Sequence, residues 1–200
     1  PENINLQNVM KIFVSYRNFF GLNGIYQADL VANANLFNTP ASFAVSKYGN
    51  DLYSEVQISF GSSMYVIENF AVGASLQLYS LAIKNYGESL SWGINLGVNY
   101  QAREKVYLGA HITNINSPTI GKVEEELPKT FSLGVQYKFL EQGIILFEFY
   151  RDVQYNQDYR AGFEYEVFNH TFLRLGISDK TNSYSFGAGS EINIFLFDYA

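Results

Sequence analysis

Residues that could do acid–base, nucleophilic or metal chemistry are few in this 200-residue chain. It has two histidines, His111 and His170, and no cysteine. Metal centres and catalytic triads need His, Cys, Ser or carboxylate groups gathered at defined spacings. No such spacing occurs, so the sequence predicts no metal site, no cofactor and no catalytic residue, and we expect a protein that is not an enzyme.

Charge is also scarce, because Asp, Glu, Lys and Arg make up only 16% of the chain. Acidic residues outnumber basic ones by 19 to 13, and the net charge of −6 argues against a nucleic-acid partner. Hydrophobic residues reach 48% and aromatic residues 17%, yet the mean hydropathy is −0.06. The chain has no run of about 18 apolar residues that could form a membrane-spanning helix. This composition is typical of a protein built mostly from strands.

Apolar and polar residues alternate along most of the chain, which is the period of a β-strand. From Trp92 to Tyr100 the even positions are apolar or aromatic, and the odd positions are glycine or asparagine. Residues 131–139 alternate in the same way. Together with these two segments, further stretches predict about twelve strands: residues 10–16, 25–36, 41–48, 52–60, 70–78, 106–112, 144–150, 160–167, 173–177 and 183–198.

The spacing of these strands permits a membrane barrel, because it leaves room for about 9 to 11 residues in each strand, enough to cross a bilayer. Alternation alone fits a soluble barrel as well, in which the apolar face lines a core. The polar face favours the membrane, since it carries Gly, Asn, Ser, Gln and Tyr rather than the charges of a soluble surface. We predict an all-β fold, an antiparallel up-and-down transmembrane β-barrel, with a soluble barrel as the alternative.

In such a barrel the polar positions face the lumen, and the charges among them must pair or stay hydrated. They could form an ion-pair network that fills a narrow barrel, or they could line a pore. The candidate lumen-lining residues are Glu55, Gln57, Asn95, Asn99, His111, Gln136, Lys138, Glu148, Arg160, Glu164 and Arg174.

Aromatic residues lie near the ends of several apolar faces. Trp92, Tyr100, Phe131 and Phe139 occupy the positions at which outer-membrane barrels place their interfacial girdles. We predict that these four side chains lie at the edges of the lipid-facing band.

Two segments depart from simple alternation. Ile144 and Leu146 share the polar face of their strand with Glu148, and the last predicted strand changes parity within residues 192–199. We expect a β-bulge near residues 194–197, or a local plug or partner contact. The acidic run at residues 124–126 is expected to be a solvated loop rim.

His111 carries the one enzyme alternative, since some outer-membrane barrels are hydrolases that use a histidine with Ser or Asp. A lipase that acts on bilayer lipid needs this histidine on the lipid side. His111 has the parity of the polar face, so we interpret it as a hydrogen-bonding residue of the lumen.

Six stretches carry a resemblance to a known family, and they occur in the family's order: Asp51–Glu55, Gly109–Pro118, Glu126–Gly134, Ala161–Tyr165, Leu173–Ile177 and Phe197–Ala200. Together they resemble the PorV/PorQ family of outer-membrane barrels, which is similar to the FadL-type transporters and occurs in Bacteroidetes and related phyla. The family's N-terminal region with an Asn-Pro-Ala element is missing. We therefore expect residues 1–200 to be a single barrel domain that lacks an N-terminal segment, with about fourteen strands in the complete protein.

The resemblance implies a bacterial outer-membrane protein that contacts the lipid bilayer and has no catalytic residues. PorV-like members act in type IX secretion, which implies a component of protein export, or a partner-binding shuttle, with secretion-system proteins or exported cargo as partners. The alternative is a FadL-like passive channel for small hydrophobic molecules.

Overall fold

The structure is a computed structural model that describes residues 10–18, 24–36, 39–180 and 182–199. Over these ranges the regular elements are fifteen β-strands. No helix in the described ranges has the length and apolar character needed to cross a membrane. The strands are β1 (Lys11–Asn18), β2 (Tyr26–Leu36), β3 (Thr39–Gly49), β4 (Tyr53–Ile67), β5 (Phe70–Ile83), β6 (Gly87–Arg103), β7 (Val106–Ile112), β8 (Thr119–Ile120), β9 (Glu125–Glu126), β10 (Thr130–Phe139), β11 (Gly143–Asp152), β12 (Gln157–Phe168), β13 (Thr171–Ser178), β14 (Ser183–Ile192) and β15 (Phe195–Tyr199).

Thirteen of these strands form one sheet in which each strand neighbours the next one along the chain. The single interruption lies between β7 and β10, which pair with each other while β8 and β9 form a separate two-stranded sheet. Neighbouring strands run antiparallel, as in the β1–β2, β10–β11 and β13–β14 pairs. This is the up-and-down order that the alternation predicts, with thirteen strands where about twelve were expected.

The apolar side chains of the sheet are exposed rather than packed in a core. In β10, Phe131, Leu133, Val135 and Tyr137 are 36 to 46% exposed, whereas Ser132 and Gly134 between them are half-buried. Among the described residues, Ile120 is the one buried hydrophobic side chain. A soluble protein would bury these side chains, but a barrel in a bilayer turns them towards lipid. The burial pattern therefore supports the membrane interpretation.

Residues 183–198, which alternation predicts as one strand, form the hairpin of β14 and β15. Ile192 pairs with Phe195 across a two-residue turn in which Asn193 has φ 56°. The expected bulge is therefore wrong: parity changes because the chain reverses direction. Phe197 and Tyr199 pair with Ser190 and Ala188 and so share the apolar face of β14.

The unusual parity of β11 is real. Leu146 pairs with Gln136 on one side and Gly162 on the other. Ile144 similarly pairs with Lys138 and Glu164. Paired residues in an antiparallel sheet share a face, so both apolar side chains lie on the polar face.

The chain divides into two compact units. The first unit comprises Pro1–Val66, Ala71–Leu96 and Thr113–Pro128, and the second comprises Ile67–Phe70, Gly97–Ile112 and Lys129–Ala200.

Candidate functional site

The polar face of the sheet carries most of the candidate residues, and in the second unit the register arranges them in rows. Glu148 pairs with Arg160, and Glu164 pairs with Arg174. Each pair sits on neighbouring strands and faces the same side of the sheet. The sequence therefore places opposite charges next to each other through strand register alone.

The first row is a network around Arg160. Its Nη1 lies 3.1 Å from Glu148 Oε2 and its Nε lies 2.6 Å from Asp158 Oδ2. Asp158 is only 2% exposed and also accepts hydrogen bonds from Ser178 Oγ at 2.9 Å and from the Lys180 backbone N–H at 3.0 Å. The buried carboxylate thus has several donors, as a charge removed from water requires.

The second row centres on Arg174. Its Nε lies 2.5 Å from Glu164 Oε2, and its Nη1 donates to Asp198 Oδ1. A Cβ at Gly189 would lie 2.3 Å from that Asp198 oxygen and 2.9 Å from Arg174 Nη1. The ion pair therefore occupies the space that the absent side chain of Gly189 leaves open.

Between the two charged rows lies a row without charge. Leu146 is 43% exposed, and the residues that follow it across the strands are Gly162 and Gly176. Adjacent same-face positions along a strand are about 7 Å apart, so this step separates Glu148–Arg160 from Glu164–Arg174. We call Leu146, Gly162 and Gly176 the apolar step; Ile144 lies on the same face one row away, where it pairs with Glu164.

The remaining polar candidates of the second unit have separate surroundings. Lys138 Nζ lies 5.0 Å from the centre of the Tyr107 ring, and Gln136 is half-buried beside Leu146. Asn99 and His111 are exposed. His111 is on the polar face of β7, opposite Ser132 of β10. Among the described residues, no group of three or more His, Asp or Glu side chains could hold a metal ion.

In the first unit, Glu55 and Gln57 lie on β4, which has 15 residues. Counted back from the turn at residues 68–69, about 9 to 11 residues cross a bilayer, so Tyr53 and Glu55 lie outside the spanning part. The Tyr53 hydroxyl donates to Glu55 Oε1. This hydrogen bond to a carboxylate, with desolvation as the second cause, raises the pKa of Tyr53 to about 12.

Asn95, the remaining candidate, is 3% exposed and belongs to a network of neutral groups. Its Nδ2 donates to Ser75 Oγ at 3.1 Å, and its Oδ1 accepts the backbone N–H of Asn114 at 2.9 Å. Asn114 is 4% exposed; its Oδ1 accepts the Tyr79 hydroxyl at 2.8 Å and its Nδ2 donates to the Pro128 carbonyl at 2.9 Å. We call Asn95, Asn114, Ser75 and Tyr79 the amide cluster.

The four candidate girdle residues lie on the apolar face. Trp92, Tyr100 and Phe131 are exposed, with Trp92 the most exposed at 52%. Phe139 is half-buried and stacks on Phe163 with ring centres 5.6 Å apart. Trp92 and Tyr100 lie on one strand near opposite ends of its lipid-facing stretch.

Six polar residues of these networks were not predicted as site residues: Ser75, Tyr79, Asn114, Asp158, Ser178 and Asp198. Asp198 was missed because the turn at residues 193–194 was not recognised, although correct parity would have placed it on the polar face. Asn114 and Tyr79 were missed because their contacts join residues far apart in the chain. The one local signal was the turn-forming composition of residues 114–118, with two Asn, one Ser and one Pro.

No protein-family model and no curated protein matches the chain. Several solved structures do. A KdgM porin has a TM-score of 0.54 at 11% identity, with 89% of this chain and 94% of that chain covered. The TodX deltaS2S3 mutant monoaromatic hydrocarbon channel has a TM-score of 0.64 at 16% identity, with 84% and 74% covered. The Pseudomonas putida toluene transporter TodX has a TM-score of 0.61 at 13% identity, with 93% and 79% covered.

These likenesses confirm the fold class: the chain has the antiparallel up-and-down fold of outer-membrane β-barrels. They also support the expected location in the bacterial outer membrane, where barrels with an exposed apolar band reside. The resemblance to PorV/PorQ is supported only at this broader level.

Proposed function

We propose that the protein is a passive outer-membrane channel for small molecules that are wholly or partly apolar. The solved structures that share its fold are porins and hydrocarbon channels. Neither the comparisons nor the geometry supports a role in type IX secretion, so the channel is the better interpretation. In this proposal the lipid bilayer is the partner of the apolar face, and the polar candidates other than the buried Asn95 line the passage.

The apolar step is the observation that carries the proposed substrate class. Leu146 and Ile144 place apolar side chains on a face that carries mostly charged, amide, hydroxyl and glycine residues, which favours an apolar solute over an ion or a sugar. An apolar solute can leave water and contact Leu146, which is 43% exposed and lies over Gly162. The ion pairs on either side stay satisfied by each other and need no partner from the solute.

Uptake of toluene tests the proposal. The protein is produced in the outer membrane of a bacterium that lacks its own hydrocarbon channels, and uptake of radiolabelled toluene is compared with an empty-vector strain. We expect faster uptake with the protein, and a several-fold loss of that gain in Leu146→Asn, because the apolar contact is replaced by an amide. Arabinose uptake is measured in parallel as a polar solute.

The matched control is Ser59→Asn, which adds an amide to a polar-face position of β4 without removing an apolar contact. We expect it to retain the toluene uptake of the unaltered protein. Equal toluene uptake in the protein-producing and empty-vector strains, with the barrel folded in the membrane, would overturn the channel proposal. Equal uptake by Leu146→Asn and the unaltered protein would remove the apolar step from it.

A further inference from the structure

The connection between β7 and β10 differs from the other connections of the sheet. Residues 68–69, 104–105 and 140–142 are enough to join β4 to β5, β6 to β7 and β10 to β11. The connection from β7 to β10 runs over residues 113–129 and contains the hairpin of β8 and β9. Its first sixteen residues, Thr113–Pro128, belong to the first unit, and we call them the inner segment.

The inner segment begins by running beside β6: the Ile115 N–H donates to the Ile94 carbonyl at 2.9 Å, and the Asn116 side chain accepts the Ile94 N–H at 2.9 Å and donates to the Trp92 carbonyl at 3.1 Å. Asn114 has φ 50°, a left-handed conformation that asparagine tolerates better than most residues. Its side chain lies over Gly93, where a Cβ would be 2.0 Å from Asn114 Oδ1. Because Trp92 and Leu96 hold the exposed apolar face of the same strand, Gly93 and Asn95 face the opposite side. The segment therefore covers the side that faces the lumen in an outer-membrane barrel.

A second attachment holds the segment farther along β6. The backbone N–H of Gly121 donates to Ser89 Oγ at 2.9 Å. Ser89 has the same parity as Gly93, so both attachments are on one face. Ile120, next to this attachment, is 9% exposed, and the Leu127 N–H donates to the Pro118 carbonyl at 2.9 Å. The segment is thus a closed loop with its own hydrogen bonds, fixed to β6 through Asn114–Asn116 and again through Gly121.

The amide cluster is the stronger of the two attachments. Every side-chain polar atom of Asn95 and Asn114 has a partner within the cluster or on the Pro128 carbonyl. Both side chains are nearly inaccessible to water, and breaking such a contact leaves a buried polar group unsatisfied. The cluster therefore holds the segment in one position.

We propose that the inner segment is the constriction of the channel, held across part of the lumen by Asn114 and its cluster. The inference rests on the proposed function, because a constriction has meaning only where something passes. Asn114 acts as a positioning residue. Solute that passes the segment on the lumen side meets its exposed surface, which carries Lys122 and the acidic residues 124–126.

Thiol accessibility tests the constriction without relying on transport. The chain has no cysteine, so Ser91→Cys introduces a single thiol between the two attachment points on β6. We expect a membrane-impermeant methanethiosulfonate to modify it slowly in the otherwise unaltered protein. Asn114→Ala should accelerate modification about tenfold or more, since it removes buried hydrogen bonds that hold the segment down. Ser132→Ala, on the polar face of β10 and outside the segment, should leave the rate unchanged.

Single-channel conductance in planar bilayers supplies the second readout. A variant in which a short Gly-Ser linker replaces residues 119–126 should conduct several-fold more current than the complete protein, and its Ser91→Cys thiol should react rapidly. Far-ultraviolet circular dichroism and heat-dependent gel migration confirm that each variant is folded. Because the linker variant leaves the strands of the main sheet intact, it still tests the constriction if Asn114→Ala does not fold.

The outcomes separate this inference from the proposed function. Equal thiol reactivity and equal conductance in the complete protein and the linker variant would overturn the constriction, even where toluene uptake supports the channel. Absent toluene uptake would overturn the channel proposal, even where Asn114→Ala uncovers the thiol. Slow modification that becomes fast in both altered proteins, together with increased conductance, supports the constriction.

Discussion

The amide cluster of the first unit and the arginine networks of the second unit stabilise polar groups in opposite ways. In the first unit the amide cluster uses neutral groups, is almost completely buried, and fixes a segment of chain onto the face. In the second unit Arg160 and Arg174 join carboxylates on neighbouring strands, and both arginine side chains remain 36 to 41% exposed. Neutral amides can be buried at modest cost once they are paired, whereas charges are costly to dehydrate.

This difference indicates which part of the polar face can line a passage. A buried neutral cluster can hold a segment of chain in one position, whereas partly exposed ion pairs suit a protein surface that stays hydrated. The apolar step is flanked by such a wall, and the inner segment is held by such a cluster. In the proposed channel we expect the amide cluster to restrict the passage and the apolar step to contact the solute.

The largest effect is expected from filling the space beneath Asn114. Gly93→Ala places a Cβ 2.0 Å from Asn114 Oδ1, so the amide must leave its position, at a cost of about 1–3 kcal/mol. Urea unfolding followed through the single tryptophan, Trp92, measures the change. Gly97→Ala is the matched control, because its Cβ meets its nearest neighbour at 3.5 Å. Equal unfolding midpoints for the two variants would contradict the tight packing of the cluster.

A smaller effect, with a different salt dependence, is expected from the second unit. Arg174→Gln leaves Glu164 and Asp198 without their shared cation, and the partial exposure of these groups limits the loss to about 1 kcal/mol in low salt. The loss should shrink in 1 M NaCl, where the screening length is about 3 Å. The loss in Asn114→Ala should not change with salt, because its partners are neutral. Identical salt dependence in the two variants would erase the distinction between the units.

The smallest effect concerns Tyr53 at the outer end of β4. Its pKa is raised to about 12 by the hydrogen bond to Glu55, so the neutral hydroxyl stabilises the folded state. This stabilisation is complete below pH 10, the ordinary range of a tyrosine, and is lost as the pH rises towards 12. Urea unfolding at pH 9 and pH 11.5 should therefore show a larger loss in the unaltered protein than in Tyr53→Phe. A loss of the same size in both would show that the hydrogen bond contributes nothing.

The strands could be predicted from sequence wherever one face is consistently apolar. Residues 92–100 and 131–139 alternate without exception, and both fall within strands of the structure. The hairpin at residues 193–194 was not predicted, because its turn contains no glycine and Ile194 is apolar. The alternation of residues 183–198 therefore predicts one strand with a bulge in place of two strands.

The contacts between residues of the polar face were harder to predict than which residues lie on that face. Parity alone selected Glu148, Arg160, Glu164 and Arg174, but register decides which of them pair, and register depends on where each turn begins. Only residues 124–126 of the inner segment were interpreted as a solvated loop rim, and nothing local shows that Asn114 reaches Asn95 and Tyr79. Its fixed position depends on contacts between residues up to 35 positions apart.

In the proposed channel the polar face lines a water-accessible passage, and the apolar face contacts lipid. Gln136→Cys and Val135→Cys place single thiols on neighbouring residues of β10, one on each face. In outer-membrane vesicles treated with a membrane-impermeant thiol reagent, we predict rapid modification of the thiol at position 136 and almost none at position 135. Rapid modification at position 135 together with protection at position 136 would contradict this assignment of the two faces.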